Sequence, residues 1–86
     1  MAWELRVARN VQKSLVRIPA KDRSRILSAL EEMETNPFTG DIVRLRADER
    51  SRWRRRVGRY RVFFTLHPEI QVVDIVGLKR RTSATY

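Results

Sequence analysis

Two runs of residues around one short turn constrain this fold more than any other feature. Residues 53–57 and 60–66 flank the pair Gly58-Arg59. Both runs hold aromatic and β-branched residues, and a Gly-X pair between such runs signals a hairpin with a two-residue type II′ turn. A two-residue loop fixes the register. Val57 then pairs with Tyr60, Arg56 with Arg61, Arg55 with Val62 and Arg54 with Phe63. Side chains alternate along a strand, so one face carries Arg54, Arg56, Arg61 and Phe63. The other carries Trp53, Val57, Tyr60, Val62 and Phe64, which suits a core. Arg55 falls on that apolar side, where snorkelling at the sheet edge is the expectation.

The rest of the chain supplies what this hairpin packs against. Trp3, Leu5 and Val7 alternate with Glu4 and Arg6, as in a half-buried strand. Val11, Leu15 and Ile18 form a helical stripe that Pro19 interrupts. Ile26, Leu27, Leu30 and Met33 form the stripe of a second helix over residues 21–35, closed by Asn36-Pro37. The tight joint pairs the two helices as a hairpin. Lys13, Arg17, Lys21, Arg23 and Arg25 lie on its outer faces and read mainly as solvated. Residues 38–50 read as a loop, and His67-Pro68-Glu69 as a turn. Residues 70–78 are apolar on both faces apart from Gln71, Asp74 and Gly77, which marks a strand inside the sheet. The order is β-α-α-β-β-β, an α+β fold with the helical hairpin on one face of a mainly antiparallel sheet and the other face open. Its 86 residues suffice for one domain, 1–86.

Charge says what the open face is for. The net charge is +9. Residues 1–43 hold seven Lys/Arg and six Asp/Glu, whereas residues 44–86 hold twelve and four. That asymmetry points to a polyanion or an acidic partner. Arg56 opposite Arg61 is a like-charge cross-strand pair, unfavourable by about 0.2–1 kcal/mol. Such a cluster needs nearby carboxylates, for which Asp48 and Glu49 are the candidates, or an external anion. Arginine binds phosphate bidentately and keeps its charge. Phe63 beside it offers a surface on which an unpaired base can stack, a combination suited to single-stranded RNA. With no cysteine, disulfides and thiolate metal sites are excluded and a reducing cytoplasm is the expected compartment. The acidic residues are scattered, so neither metal nor cofactor is expected. The first residues lack a signal-peptide core, and no apolar run has the length of a membrane span.

The string Trp53-Arg54-Arg55-Arg56-Val57-Gly58-Arg59-Tyr60-Arg61-Val62-Phe63-Phe64 resembles the central hairpin of the RelE/ParE toxins of toxin–antitoxin systems. The stretch Val72-Val73-Asp74-Ile75-Val76-Gly77-Leu78-Lys79-Arg80-Arg81, with Tyr86 beyond it, is similar to their last strand and catalytic tail. The paired helices and the Pro-containing loop match as well, so the resemblance covers nearly the whole chain. RelE-type members cut mRNA in the decoding site of the ribosome; ParE-type members poison DNA gyrase. The resemblance carries the RelE-type basic pair onto Arg54 and Arg56, the second-strand arginine onto Arg61, the arginine after the last strand onto Arg80 and the tyrosine onto Tyr86. It therefore implies a metal-independent endoribonuclease, with a cognate antitoxin, the ribosome and mRNA as partners. Two departures stand out. The basic pair is often lysine in RelE-type enzymes and is arginine here, and the chain stops at Tyr86 where many relatives continue into a short helix.

The implied reaction is attack by an RNA 2′-hydroxyl on the adjacent phosphate, which needs a base, charge stabilisation and a proton for the leaving oxygen. Arg61 and Arg80, both expected on the open face, clamp the phosphate. Arg54 and Arg56 position the backbone. Tyr86 is the candidate base, acid or stacking platform, and Lys79 a weaker base candidate. Phe63, Lys79, Arg81 and Arg59 complete the RNA-binding set. His67 is the sole histidine and reads as a turn residue, so a histidine-pair mechanism is excluded. The alternatives are a gyrase inhibitor without nuclease chemistry, a plain nucleic-acid-binding module, and a degenerate toxin that only binds its antitoxin.

Overall fold

The computed structural model describes residues 2–45 and 52–80. The elements are β1 (Glu4–Val7), α1 (Arg9–Arg17), α2 (Ala20–Thr35), β2 (Asp41–Arg44), β3 (Arg52–Val57), β4 (Tyr60–His67), a 3-10 turn (Pro68–Ile70) and β5 (Val72–Arg80). The strands form one sheet in the order β1-β5-β4-β3-β2. Among the described residues, only the β1–β5 pairing is parallel. The α+β reading holds, with two helices on one face of a mainly antiparallel sheet.

The expected loop over 38–50 needs correction, because residues Asp41–Arg44 within it form β2. This strand is only four residues long, too short for alternation to stand out from a loop. It pairs along β3 and makes a fifth strand.

Two extended residues separate the helices. Ile18 has ψ 141° and Pro19 has φ −53° and ψ 144°. Proline disfavours helical geometry in the residue before it, so α1 ends there. Arg23, read from sequence as a solvated cation, ties the joint instead. Its Nε donates to the Leu15 carbonyl at 3.0 Å and its Nη2 to the Ile18 carbonyl at 2.8 Å. The Leu15 carbonyl also accepts from the Ile18 N–H at 3.3 Å, and the Ile18 carbonyl is one that a helix end leaves without an intrahelical partner.

The core lies between the helices and one sheet face. Val11 and Ile18 from α1, and Ile26, Leu30 and Met33 from α2, meet Tyr60, Val62, Phe64, Val73 and Ile75. Leu27, expected in the stripe of α2, is exposed, and Ala29 is buried in its place. Beyond the core, Trp3, Phe38 and Trp53 meet edge to face, and Trp53 stacks on Phe64.

β5 begins two residues later than expected. Pro68 opens the 3-10 turn, and Gln71 closes it in the left-handed region at φ 50°. The strand consequently runs on through Lys79 and Arg80. His67 ends β4 rather than sitting in the turn, and its Nε2 lies 2.8 Å from an Asp74 carboxylate oxygen. Near its middle β5 bulges: Phe63 pairs with Gly77 and Phe64 with Ile75, which leaves Val76 without a partner residue on β4. The Val76 carbonyl accepts a hydrogen bond from Asn10 Nδ2 at 3.3 Å, anchoring α1 to β5.

Candidate nucleic-acid interface

The β3–β4 turn has the geometry the hairpin requires. Gly58 takes φ +57°, and Arg59 is not among the positive-φ residues. A positive first and a negative second φ is the type II′ pattern, which favours glycine at the first position. Every expected pair follows, from Arg54 with Phe63 to Val57 with Tyr60. Arg54, Arg56, Arg61 and Phe63 therefore share the face turned away from the helices.

Following the pairings outward gives rows across that face. The first row is Asp41, Arg56, Arg61 and Lys79, on β2, β3, β4 and β5. The second is Val43, Arg54, Phe63 and Gly77. The third is Arg52, Thr65, Asp74 and Arg6, which crosses to β1. Arg52 escaped the sequence reading, although its place two residues before Arg54 marks it as a member of the same face.

The first row sets three cations side by side, with directly opposed Cβ atoms about 5 Å apart. Asp41 offsets one of them, with an oxygen 3.9 Å from Arg56 Nη1. The carboxylates expected to neutralise the cluster, Asp48 and Glu49, lie outside the described residues. Arg54 and Arg61 make no ion pair with any described residue. The Nε groups of Arg54, Arg56 and Arg61 are screened from water and have no hydrogen-bond acceptor among the described residues. A buried donor without an acceptor is costly, and among the described residues Asp41 is the carboxylate that pairs with this row.

Phe63 sits among these cations opposite Gly77. A Cβ at Gly77 would stand 3.4 Å from the Phe63 ring, an ordinary van der Waals contact, so the ring lies beside this part of β5. The ring is half-buried, leaving part of its surface for a stacking partner.

At the other end of the face the charges are already paired. His67 meets Asp74, and Arg6 donates from Nε to Glu4 at 2.7 Å. The Glu4 hydrogen bond and charge hold the Arg6 guanidinium above its usual pKa.

Two expectations change. Arg80 pairs with Tyr60, whereas Lys79 pairs with Arg61. Tyr60 belongs to the core, so Arg80 stands on the helix side at the sheet end and Lys79 joins the open-face row. The expectation that Arg80 projects beside Arg61 is thus corrected, and its cause is that β5 extends through Arg80, whose pairing with Tyr60 sets its side. Arg59 is exposed at the hairpin tip. Arg81 and Tyr86 lie outside the described residues.

Arg55 is the second correction. It does not snorkel but is buried under α2. Its Nη1 donates to the Ala29 carbonyl at 3.2 Å and to Thr39 Oγ1 at 3.3 Å, and its Nη2 meets Glu32 Oε1 at 2.5 Å. The guanidinium packs on Gly40, where φ is +79° and a Cβ would fall 2.6 Å from Arg55 Nε. Arg55 therefore fastens β3 to α2 and to the segment before β2.

A family model described as the ParE toxin of type II toxin–antitoxin system, parDE, matches residues 5–84. No curated protein sequence matches the chain. Solved structures do. The archaeal RelE–RelB complex from Pyrococcus horikoshii matches with a TM-score of 0.85 and 26% identity, covering 98% of this chain and 100% of that one. The toxin–antitoxin complex RelBE2 from Mycobacterium tuberculosis matches with a TM-score of 0.80 and 18% identity, covering 94% and 100%. An arginine double mutant of the E. coli toxin RelE in its free state matches with a TM-score of 0.62 and 18% identity, covering 93% and 84%. These structures share the fold described above, and with the family match over residues 5–84 they lead to one conclusion: the chain belongs to the RelE/ParE superfamily, as a toxin of a type II toxin–antitoxin system.

Proposed function

We propose that this toxin is a metal-independent endoribonuclease that binds mRNA on its open sheet face, on the ribosome, and cleaves it by 2′-hydroxyl attack. The observation that carries this reading is the row Arg56, Arg61 and Lys79 beside Arg54 and Phe63. Guanidinium groups bind phosphate through paired donors, and the aromatic ring stacks a base that has left its helix. In the reaction, the 2′-oxygen bonds to phosphorus as its proton passes to a base. The bond from phosphorus to the 5′-oxygen breaks, that oxygen takes up a proton, and a 2′,3′-cyclic phosphate remains. Arg54, Arg56 and Arg61 stabilise the charge that grows on the phosphate. Arginine cannot serve as the base. Lys79 and Tyr86 are the proton-carrying candidates, and Arg80, Arg81 and Arg59 the more peripheral phosphate contacts. A cognate antitoxin is the protein partner, as RelB is for the archaeal toxin of the same fold.

A second reading, poisoning of DNA gyrase without nuclease chemistry, is favoured by the ParE description of the matching family. Mapping mRNA 5′ ends after induction separates the two. New ends inside translated regions are expected for the nuclease. Intact mRNA accompanied by gyrase-linked DNA breaks would replace it with the second reading.

A further inference from the structure

A groove of ≈ 660 Å³ runs between α2 and the β2–β3 edge of the sheet. Lys21, Ser24, Arg25 and Ser28 line it from α2, and Arg55 and Arg56 from β3. The spacing 21, 24/25, 28 is one stripe of a helix. This stripe runs beside the buried one formed by Ile26, Ala29, Leu30 and Met33.

The groove is electrically lopsided. Its two acids are engaged: Glu32 meets Arg55 and Asp41 meets Arg56. At the other end, Lys21 and Arg25 form no ion pair with any described residue. Arg25 reaches the hairpin turn, where a Cβ at Gly58 would stand 3.8 Å from its Nη1. Its positive charge thus joins those of Arg56 and Arg59 with no carboxylate among the lining residues at that end. Arg56 belongs both to this groove and to the open-face row, so cations continue from one surface to the other past the β3–β4 turn, beside Asp41 on the edge strand.

We propose that the Lys21–Arg25 end of this groove is a second phosphate subsite, taking a backbone phosphate of the RNA strand after it passes Arg56. The inference rests on the RNA reading given above. A lysine point charge, an arginine fork and two serine hydroxyls are the donors a tetrahedral oxyanion uses. The lining has no aromatic ring, so the subsite holds backbone and reads no base. An acidic protein segment fits less well. Such segments dock on apolar anchors, and the nonpolar lining here is limited to Ala29, Val57 and Gly40.

The test uses uridine oligonucleotides of about four and about twelve nucleotides, the short one covering a single face and the long one reaching past the turn. Binding of the full chain is followed by anisotropy over a range of salt. For the long oligonucleotide, Lys21→Ala with Arg25→Ala should flatten the salt slope by roughly 0.7–1.4, one to two phosphates at about 0.7 each for single strands. The short oligonucleotide should bind the variant like wild type. All four α2 residues are exposed, so the melting transition should not move. If the long-oligonucleotide slope stays unchanged while Arg61→Ala still weakens binding, the groove subsite falls and the open-face reading stands. If the wild type shows no salt-dependent RNA binding, both fall. If the double variant keeps its RNA slope but loses affinity for the cognate antitoxin, the groove is a protein-docking site and the proposal is overturned.

Discussion

Arg55 is where a single residue departs most from its pattern. A buried cation beside Val62 on the helix face looks like an error in an amphipathic strand. Its three oxygen partners and the close approach of Gly40 make it a fastener between sheet, helix and loop. Removing it frees Glu32 to water, because that side chain is already 60% exposed. The buried Ala29 carbonyl loses its charged donor, and Arg55→Ala should destabilise by about 2–3 kcal/mol. Gly40→Ala should cost about 1–2 kcal/mol for the left-handed backbone, plus the clash of the new methyl with the guanidinium. That clash is absent once Arg55 is alanine. In the Arg55→Ala background, Gly40→Ala should therefore cost only the backbone part, and urea unfolding of the four proteins should be non-additive. Additive costs would mean that Arg55 and Gly40 do not act as a unit.

At the scale of elements, the course of β5 decides which basic residue near the end of the sheet lies on the open face. Lys79 stands opposite Arg61 on the open face, and Arg80 opposite the buried Tyr60. Arg61→Ala and Lys79→Ala should both weaken toxicity strongly, and Arg80→Ala should weaken it less. None should lower the melting temperature appreciably, and Arg61→Ala should relieve repulsion in the row. Growth arrest and thermal unfolding, measured together, check this. A silent Arg80→Ala toxin beside a fully active Lys79→Ala toxin would show that strand pairing is a poor guide to the site. The central hairpin was legible in the sequence because two turn residues set its whole register. β5 was less so, since Ile70 continues the apolar run while Pro68 draws it into a 3-10 turn. β2 could not be read, as four residues show too little alternation. The partners of Arg55 lie 16 to 26 residues away in sequence, beyond any local pattern, and Asp41 became a neighbour of Arg56 only through β2.

The whole molecule has two unlike sides, helices over a core on one and rows of cations on the other, with a net charge of +9. A free protein of this kind presents its open face to any polyanion in reach. A neutralising antitoxin is therefore expected to lay an acidic or amphipathic segment across that face. Backbone amide exchange is a blunt probe of this, because β3 and β4 are flanked by partner strands on both sides and their amides are already protected. The guanidinium Nε–H groups of Arg54, Arg56 and Arg61 are a sharper one, since they have no acceptor among the described residues. On adding the cognate antitoxin, their NMR signals should shift as they gain acceptors. The complex should weaken as salt rises, because exposed charges more than about 10 Å apart are screened at 0.1 M. Slowed exchange confined to the outer faces of α1 and α2, with the three arginine signals unmoved and no salt dependence, would place the antitoxin on the helices. Neutralisation would then work without covering the arginine rows.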